Sequence, residues 1–519
     1  MPASSTRWTA LMVAALAARV LLVHFGWHAP LASRIELSSP VDSLARLREG
    51  AALVEMGLSP YEGSMLHVPP LVLLLFAPFL YVADALGASE APYASIVRSA
   101  PFVALDALVA AALFAIATRV AAASNGGDEQ NTDENGTHIK RFTDTFTVPA
   151  FAACAYLLNP MSVAACAAGS TSALGTSCVA LALAAACKEK PEPIVAGACL
   201  ATLAFVTSDA RVPTLLLYPV ASLARDGAAG DANLRQFAPR NSETLETKHS
   251  NRRFRATFGG FFAACLVLGA VSTRAYSDVG VTLEQWTNAT YAFTFLVTDL
   301  TPNLGVHWYL FAELFSHFRL FFLFVFHAFP AFLSVPVLAR YGHTRPILAV
   351  GVVLALHTAL GPYPTWGNVA GYLAFAPIFT RGELAFSARM TKTNAKNPTP
   401  RVGFAVSAAL ATTATLTPIF WHLWIEARVA NANFLFAVTL AHFAAQSALI
   451  VSWIGAAVER DAASSARRSR QREEKEKNEK AIGTIARDEP PYRDSGRGGE
   501  VQPRVATDAP ASGLARRKR

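Results

Sequence analysis

The sequence predicts an all-α, polytopic membrane protein with about 12 transmembrane helices and one re-entrant segment. Of its 519 residues, 53% are hydrophobic and only 16% are charged, and the mean hydropathy is +0.32. Soluble proteins carry about 25% charged residues. Apolar runs close to the ~20 residues that cross a bilayer recur along the chain. Because no water satisfies backbone polar groups inside a bilayer, we expect these runs to be helices.

The first apolar run, 8–26, starts close to the N-terminus, follows Arg7 and lacks a convincing cleavage site. We therefore expect a retained signal-anchor helix rather than a removed signal peptide. The further full spans are expected at 99–123, 146–167, 170–187, 193–208, 212–224, 256–274, 312–338, 346–360, 368–380, 403–425 and 434–457.

The topology follows from the basic loops, because Lys and Arg concentrate on the cytosolic side of membrane proteins. The basic segments are 225–255, 340–345, 381–402 and the C-terminal tail. Single crossings between them place 275–311, 361–367 and 426–433 on the lumenal or outer face and leave both termini cytosolic. The sequon at Asn288 is then lumenal and a candidate for N-glycosylation, whereas the sequon at Asn135 is cytosolic.

The run 66–88 does not fit this alternation. With a cytosolic N-terminus, 27–65 is already lumenal, and a crossing at 66–88 would invert every later loop. The run also contains Pro69, Pro70 and Pro78, and proline breaks or kinks a helix. We therefore expect a re-entrant segment or a hairpin on the lumenal side.

The polar segments divide the chain into two regions. Residues 1–457 form a multi-span membrane domain with polar inserts at 124–145 and 225–255, and 458–519 form a charged cytosolic tail, either disordered or a solvated helix. The net charge of +8 lies in the loops and the tail, as the positive-inside bias requires, so it does not indicate nucleic acid. The six cysteines lie in or beside apolar runs and have no metal-ligand spacing.

The stretch 299–322 joins a polar turn to an aromatic helix. Asp299 and Thr301 are of the type that caps a helix N-terminus, and Pro302 suits a first helical position. A capped helix is therefore the plain interpretation. In the helix itself, Glu313 and His317 would share a face and could pair. This pair offers too few ligands for a metal site.

Two further stretches are candidates for a site at the membrane face. The loop 359–368, ALGPYPTWGN, either lines a cavity or is a plain turn. In 418–434, two asparagines at 431 and 433 open the last span. Amides at that depth can bind sugar or phosphate groups, or Asn431 can simply cap the helix.

Catalytic chemistry has little support in the sequence. A polyprenyl-phosphate-dependent glycosyltransferase needs a carboxylate pair or Asp-x-Asp in its first lumenal loop. That loop has scattered acids without Asp-x-Asp: Glu36, Asp42, Glu49, Glu55 and Glu62. No cysteine lies in a wet position beside a base, as a nucleophile would require. The sequence therefore predicts no catalytic residue.

Five stretches resemble the U subunit family of the glycosylphosphatidylinositol (GPI) transamidase complex. They are SPYEGSMLHVPPL (59–71), YLLNP (156–160), DLTPNLGVHWYLFAELFSHFRLFF (299–322), YPTWGNVAGYLAFAP (363–377) and PIFWHLWIEARVANANF (418–434). Their order and spacing fit about 30–457, and the inserts and the tail depart from the family. At 67–70 the chain reads His-Val-Pro-Pro, where the family usually has His-Glu-Thr-Pro.

The family is also similar to the GPI mannosyltransferases, which implies the C-type glycosyltransferase membrane fold. Those enzymes carry Asp-Val-Asp in the first lumenal loop. At the corresponding place this chain reads SPVDSLARL (39–47), with only Asp42. The missing carboxylate favours lipid recognition over a dolichol-phosphate-mannose-dependent mannosyltransferase. A transporter would carry ionisable residues deep in several spans, and Arg19 and Asp106 are the main candidates; it would also show internal repeats, which are not apparent.

The resemblance implies a non-catalytic subunit of the GPI transamidase in the endoplasmic reticulum membrane, which recognises and presents the GPI lipid. Its partners would be the GPI lipid and the other subunits, including a cysteine-protease-like subunit that holds the nucleophilic cysteine and histidine. We expect no cofactor and no metal. In this interpretation Asp299, Thr301 and Asn303 order the lumenal rim, Asn431 and Asn433 contact the GPI headgroup, and Trp308, Tyr309 and Phe434 flank the glycan or acyl chains.

Overall fold

The computed structural model describes residues 3–86, 92–125, 147–227, 246–379 and 399–488, and these ranges are mostly helical and contain no strand. The α-helices are α1 Ala3–His24, α2 His28–Ala32, α3 Leu44–Glu55, α4 Pro70–Ala85, α5 Pro92–Asn125, α6 Thr147–Leu157, α7 Pro160–Ala168, α8 Ser172–Ala186, α9 Pro193–Val206, α10 Arg211–Asp226, α11 Glu246–Arg274, α12 Leu283–Thr287, α13 Phe293–Leu296, α14 His307–Glu313, α15 Arg319–Tyr341, α16 Pro346–Ala359, α17 Trp366–Leu373, α18 Ala376–Phe379, α19 Thr399–Trp421 and α20 Ala432–Asp488. Two π-helical segments, Asn288–Ala292 and His422–Glu426, follow α12 and α19.

Among the described residues, five helices are long and apolar enough to cross a membrane. They are Thr6–His24, Ile96–Ala122, Ser250–Val279, Ser316–Tyr341 and Ala432–Ala466, and α6 with α7, bent by 50°, could form a sixth span. The apolar helices α4, α8, α9 and α16 are shorter, and the 14 residues of α9 extend only about 21 Å at ~1.5 Å per residue. The described residues therefore form an all-helical fold with five or six candidate membrane spans, and the count of about 12 spans is not confirmed.

The proline-rich run 66–88 forms one helix, α4, of 16 residues. Pro70 stands in its first turn, where the missing N–H removes no hydrogen bond. Pro78 lies inside the helix without ending it. The expected hairpin is therefore wrong for this segment, and the alternative, a re-entrant segment, stays a prediction.

The helices α9 and α11 pack backbone to backbone through glycines. A methyl group added to Gly197 of α9 would lie 2.1 Å from the carbonyl oxygen of Thr257, and one added to Gly260 of α11 would lie 2.5 Å from that of Ile194. Small residues permit such close approach between helices in a membrane, where packing rather than water exclusion holds helices together.

The ionisable residues of the first spans form a buried structural pair. Nε of Arg19 on α1 lies 2.7 Å from the carboxylate of Asp106 on α5, and both side chains are at most 2% exposed. The guanidinium also donates to the carbonyl of Leu157 at 2.8 Å and to the Ser162 hydroxyl at 3.0 Å, while the Tyr156 hydroxyl donates to Asp106 at 2.6 Å. These bonds hold α1, α5, α6 and α7 together, so the pair has a structural explanation without transport.

The chain divides into two units, Met1–Val458 and Glu459–Arg519. The described residues of the second unit, up to Asp488, are helical, and a solvated helix was one of the two forms expected for the tail. Its cytosolic location stays a prediction. Most of the polar insert 124–145, including Asn135, and part of the insert 225–255 lie outside the described residues.

Candidate functional site

A cavity of about 200 Å³ with a mixed polar and apolar lining lies in the first unit, where several interhelical loops meet. We call it the polar cavity after the acids, hydroxyls and histidine in that lining. Its lining includes Asp42, Asp209, Thr294, His357, Tyr363 and Asn368. Gly361, Pro362 and Pro364 line it as well. Of the two interpretations of the loop 359–368, the cavity-lining one is therefore confirmed.

Asp42 ties three loops together at this cavity. Its carboxylate accepts the backbone N–H of Ser39 at 2.6 Å and the hydroxyls of Ser170 and Thr365, each at 3.0 Å. Burial raises the pKa of Asp42, although these hydrogen bonds act in the opposite direction. Within the part of the chain that the structure describes, Asp42 forms no ion pair. Asp42, the single acid of the segment SPVDSLARL (39–47), thus serves as an acceptor for neighbouring loops.

Asp209 and Arg211 form a second polar group at the cavity, which the sequence analysis did not single out. Arg211 donates through Nε and Nη2 to the two carboxylate oxygens of Asp209, each at 2.8 Å. Burial acts to raise the pKa of Asp209, but the hydrogen bonds and charge of Arg211 outweigh it and lower that pKa. The signal was available as two opposite charges in the short loop between the runs 193–208 and 212–224.

Asp299 and Thr301 belong to an irregular loop and do not cap a helix. The helix α14 begins at His307 and has Val306 before it, without a side-chain capping bond. Asp299 instead accepts the N–H of Thr301 at 2.9 Å, a local turn that competes with capping. The capped-helix interpretation is therefore wrong. Asn303 is 3% exposed and closes the same loop by accepting the N–H of Gly305 at 2.7 Å.

Distant residues fix the position of this loop, which we call the rim loop (299–305). The Asp299 carboxylate lies 3.2 Å from Nη2 of Arg46 on α3. The Tyr363 hydroxyl accepts the N–H of Asp299 at 3.2 Å and donates to its carbonyl at 3.1 Å. Burial acts to raise the pKa of Asp299, but Thr301 and Arg46 outweigh it and lower that pKa.

Trp308 and Tyr309 begin an aromatic cluster with the start of α20. Trp308 is only 4% exposed, and its ring centroid lies 6.2 Å from that of Trp424. Tyr309 stacks on Phe436 with centroids 4.2 Å apart, and its hydroxyl donates to the side-chain oxygen of Asn433. Trp308 therefore supports the cluster from within rather than forming its surface.

Asn431, Asn433 and Phe434 form the exposed edge of this cluster, which we call the amide edge. The side-chain oxygen of Asn431 accepts the N–H of Asn433 at 3.0 Å, so Asn431 does cap α20. Phe434 is 52% exposed and stacks on Phe420 with centroids 6.1 Å apart. Because both amide oxygens are engaged, the Nδ2 groups of the two asparagines remain as hydrogen-bond donors.

An apolar groove of about 470 Å³ lies between α15, α16 and the first-unit part of α20. Phe329 and Leu333 line it from α15, and Phe443 and Val451 line it from α20. The groove reaches α20 about 15 Å beyond Asn433, at ~1.5 Å per residue. The amide edge and the groove therefore follow one another along the same helix.

Other predicted residues take separate positions. Glu313 ends α14, and a break over 314–318 separates it from α15, so Glu313 and His317 do not share a helix face. Asn288 is exposed at the start of a π-helical segment, and its glycosylation stays a prediction. In the described ranges, no group of three or more His, Cys, Asp or Glu side chains is arranged to hold a metal ion.

The fold and these sites define a helical membrane protein with a polar cavity, an amide edge and an apolar groove. The family described as GPI transamidase subunit PIG-U matches residues 13–442. The chain belongs to this family.

Curated relatives agree with this membership. The GPI-anchor transamidase component PIGU of Cricetulus griseus is 29% identical over 459 residues, covering 87% of this chain and 93% of that protein. The Homo sapiens component of the same name is 29% identical over 457 residues, with the same coverage of 87% and 93%. The GPI transamidase component GAB1 homolog of Schizosaccharomyces pombe is 25% identical over 411 residues, covering 78% of this chain and 82% of that protein. These names support a role in the GPI transamidase complex.

Proposed function

We propose that this protein is a non-catalytic subunit of the GPI transamidase that recognises the GPI lipid and presents it for attachment to proteins in the endoplasmic reticulum membrane. The observation that carries the proposal is the amide edge at the start of α20, followed along the same helix by an apolar groove. A lipid fits these two surfaces, with its polar headgroup at the amide edge and its acyl chains in the apolar groove.

The headgroup would lie at the amide edge. Phosphate groups bind favourably at a helix N-terminus, where backbone N–H groups and the helix dipole favour negative charge. The Nδ2 groups of Asn431 and Asn433 add donors for phosphate or sugar oxygens. Tyr309 fixes Asn433, Phe434 offers an exposed ring to the glycan, and Trp308 backs the cluster.

The rim loop would hold this face in place. Asp299 and Thr301 are bonded to each other, and Asn303 closes the loop. The Asp299–Arg46 pair then ties the loop to α3. These residues would act by positioning the loop, and the lipid would contact the amide edge.

The predicted topology is supported by which loops meet. Asp42 bonds Thr365, Arg46 pairs with Asp299, and Tyr309 bonds Asn433, so the loops predicted to be lumenal contact one another. At the sites predicted to be cytosolic, Nη2 of Arg225 lies 3.0 Å from Nε2 of His343. Both termini would then be cytosolic, as the charge pattern predicts.

Catalysis would belong to a partner, the cysteine-protease-like subunit of the complex. A mannosyltransferase needs a carboxylate that reaches its substrate. The first predicted lumenal loop brings a single acid, Asp42, to the cavity and lacks the second acid of an Asp-x-Asp pair. Of the six cysteines, Cys154, Cys166, Cys178 and Cys187 are buried.

The test replaces both Asn431 and Asn433 by alanine in cells depleted of the endogenous protein. We expect surface GPI-anchored proteins to fall severalfold while complete GPI lipid accumulates and the other subunits still co-purify. Asn159→Ala is the matched control, because Asn159 caps α7 through the same bond, to the N–H of Met161 at 3.0 Å. Normal anchoring in the double variant would contradict the proposed lipid contact. A lipid that stops at an under-mannosylated precursor would show a mannosyltransferase instead.

A further inference from the structure

The polar cavity contains buried polar atoms that have no partner in the described part of the chain. His357 is 7% exposed, and its Nδ1 bonds the carbonyl of Val353 at 3.0 Å, but its Nε2 has no hydrogen bond. The hydroxyl of Thr294, also 7% exposed, has none. Buried polar groups in folded proteins are nearly always bonded to protein, water or a ligand. Both residues line the cavity, so a ligand there would complete their bonding.

Nε2 of His357 presents an acceptor at the cavity, whereas the lining hydroxyls can donate or accept. Because Nδ1 of His357 must donate to the Val353 carbonyl, Nε2 of the neutral ring carries a lone pair. The Asp42 carboxylate accepts every bond that it forms. A ligand that bonds Nε2 of His357 must therefore bring a donor.

Among the described residues that line the cavity, Asp42 is the acid that has no counter-charge when it is ionised. Asp209 is neutralised by Arg211 in a two-bond ion pair. Asp42 has only hydroxyl and backbone N–H partners among the described residues. The neighbouring Asp299 is paired with Arg46. A ligand with a single positive charge restores neutrality, and a primary ammonium group supplies that charge together with N–H donors.

We propose that the polar cavity binds a primary ammonium group on a small polar molecule or headgroup. Asp42 is the counter-charge, and Nε2 of His357 and the Thr294 hydroxyl accept its hydrogen bonds. This site is distinct from the amide edge, which offers donors to phosphate or sugar oxygens. The ammonium group can come from a lipid headgroup or from a free amine, and the experiment separates these sources.

The experiment uses the full chain in phosphatidylcholine nanodiscs, with glucosamine and glucose as probes in calorimetric titrations. The two sugars differ by an ammonium group in place of a hydroxyl, so we expect glucosamine to bind at least about tenfold more tightly. Asp42→Asn removes the counter-charge and should abolish this preference. Glu284→Gln, at an exposed acid outside the cavity, is the control and should preserve it.

Two changes at His357 separate ligand binding from folding. An asparagine at this position keeps a donor near Nδ1 for the Val353 carbonyl but removes the atom at Nε2. A glutamine keeps a polar atom near Nε2. We expect His357→Asn to weaken glucosamine binding severalfold and His357→Gln to retain most of it, with equal thermal stability of the two variants. Equal binding of glucosamine by both variants would contradict the role of Nε2.

The source of the ammonium group is tested by the nanodisc lipid. If phosphatidylethanolamine weakens glucosamine binding relative to phosphatidylcholine, whose quaternary ammonium has no N–H, the site takes a lipid amine. If the lipid makes no difference, the site takes a free amine. Equal affinity for glucosamine and glucose, or binding of neither, overturns the proposal. Because anchor attachment is not measured, such a result would leave the proposed transamidase role to its own test.

Discussion

The buried Arg19–Asp106 pair gives a quantitative test of the packing. The guanidinium contacts Asp106, the Leu157 carbonyl and the Ser162 hydroxyl, and both charged side chains are nearly inaccessible to solvent. Removing one partner of such a pair costs about 3–5 kcal/mol, because the other charge stays buried without compensation. We therefore expect Arg19→Gln and Asp106→Asn each to lower the free energy of unfolding by about that amount.

The double variant isolates the charge interaction. Both replacement side chains are neutral amides, and the amide oxygen at position 106 could still accept from the Tyr156 hydroxyl, which bonds Asp106 at 2.6 Å. We expect the double variant to be more stable than the sum of the two single losses predicts, by about 1–3 kcal/mol. The measurement is reversible unfolding in mixed micelles by titration with dodecyl sulfate, followed by tryptophan fluorescence.

The matched control is an ion pair that differs mainly in exposure. Lys188 and Glu192 lie 2.7 Å apart, but their side chains are 48% and 45% exposed. Such pairs contribute only about 0.3–0.5 kcal/mol. Losses below about 1 kcal/mol at Arg19 and Asp106, or simply additive losses in the double variant, would refute the view that burial of this pair makes it essential.

Two further predictions concern packing and pH. Gly367→Ala should lower the free energy of unfolding by about 1–3 kcal/mol in the same titration, because the new methyl would lie 1.9 Å from the Ser172 hydroxyl oxygen; Gly259→Ala, with nothing within 4 Å, should be neutral or slightly stabilising. Because the folded state lowers the pKa of Asp299, its stabilising contribution is full above the unfolded-state pKa and is lost as the pH falls through the folded-state value. We expect the thermal midpoint of the unaltered protein to fall between neutral pH and pH ~3, and that of Arg46→Met to fall by less. An equal fall in the two proteins would contradict the role of Arg46.

The sequence predicted the helical class because this class depends on local, additive signals. Apolar runs require helices in a bilayer, and basic loops select a side. The contacts Asp42–Thr365 and Arg46–Asp299 join loops that the charge pattern assigns to one face. The number of spans was less predictable, since the run 346–360 was expected to cross the membrane but the 14 residues of its helix α16 extend only about 21 Å at ~1.5 Å per residue.

The errors arose where a residue type serves two local structures. Asp and Thr favour both helix caps and turns, and at 299–301 the turn forms because Arg46 and Tyr363, distant in sequence, hold Asp299. Proline both breaks helices and begins them, and Pro70 begins α4. In each case the tertiary partners decide, and the sequence pattern does not contain them.

The cavity residues were missed for a different reason. His357 lies in the apolar run 346–360 and Thr294 lies in the short helix α13, so neither stands in a recognisable motif. Each of them has an unbonded polar atom and lines the cavity. The cavity forms only after the loops have come together. Asp42 could be singled out because the resemblance to the mannosyltransferases drew attention to its position.

The two polar sites have opposite chemistry, and this bears on how a headgroup would be held. The amide edge offers donors at an exposed helix N-terminus, which suits phosphate and sugar oxygens. The polar cavity offers the acceptor Nε2 of His357 and the carboxyl group of Asp42, which has no ion-pair partner among the described residues, and this combination suits an ammonium group. A single site of either kind could not select a ligand that carries both charges. Because the exposed donors and the cavity acceptor belong to different parts of the fold, the two proposed sites would recognise the two groups independently, and together they would favour a zwitterionic headgroup.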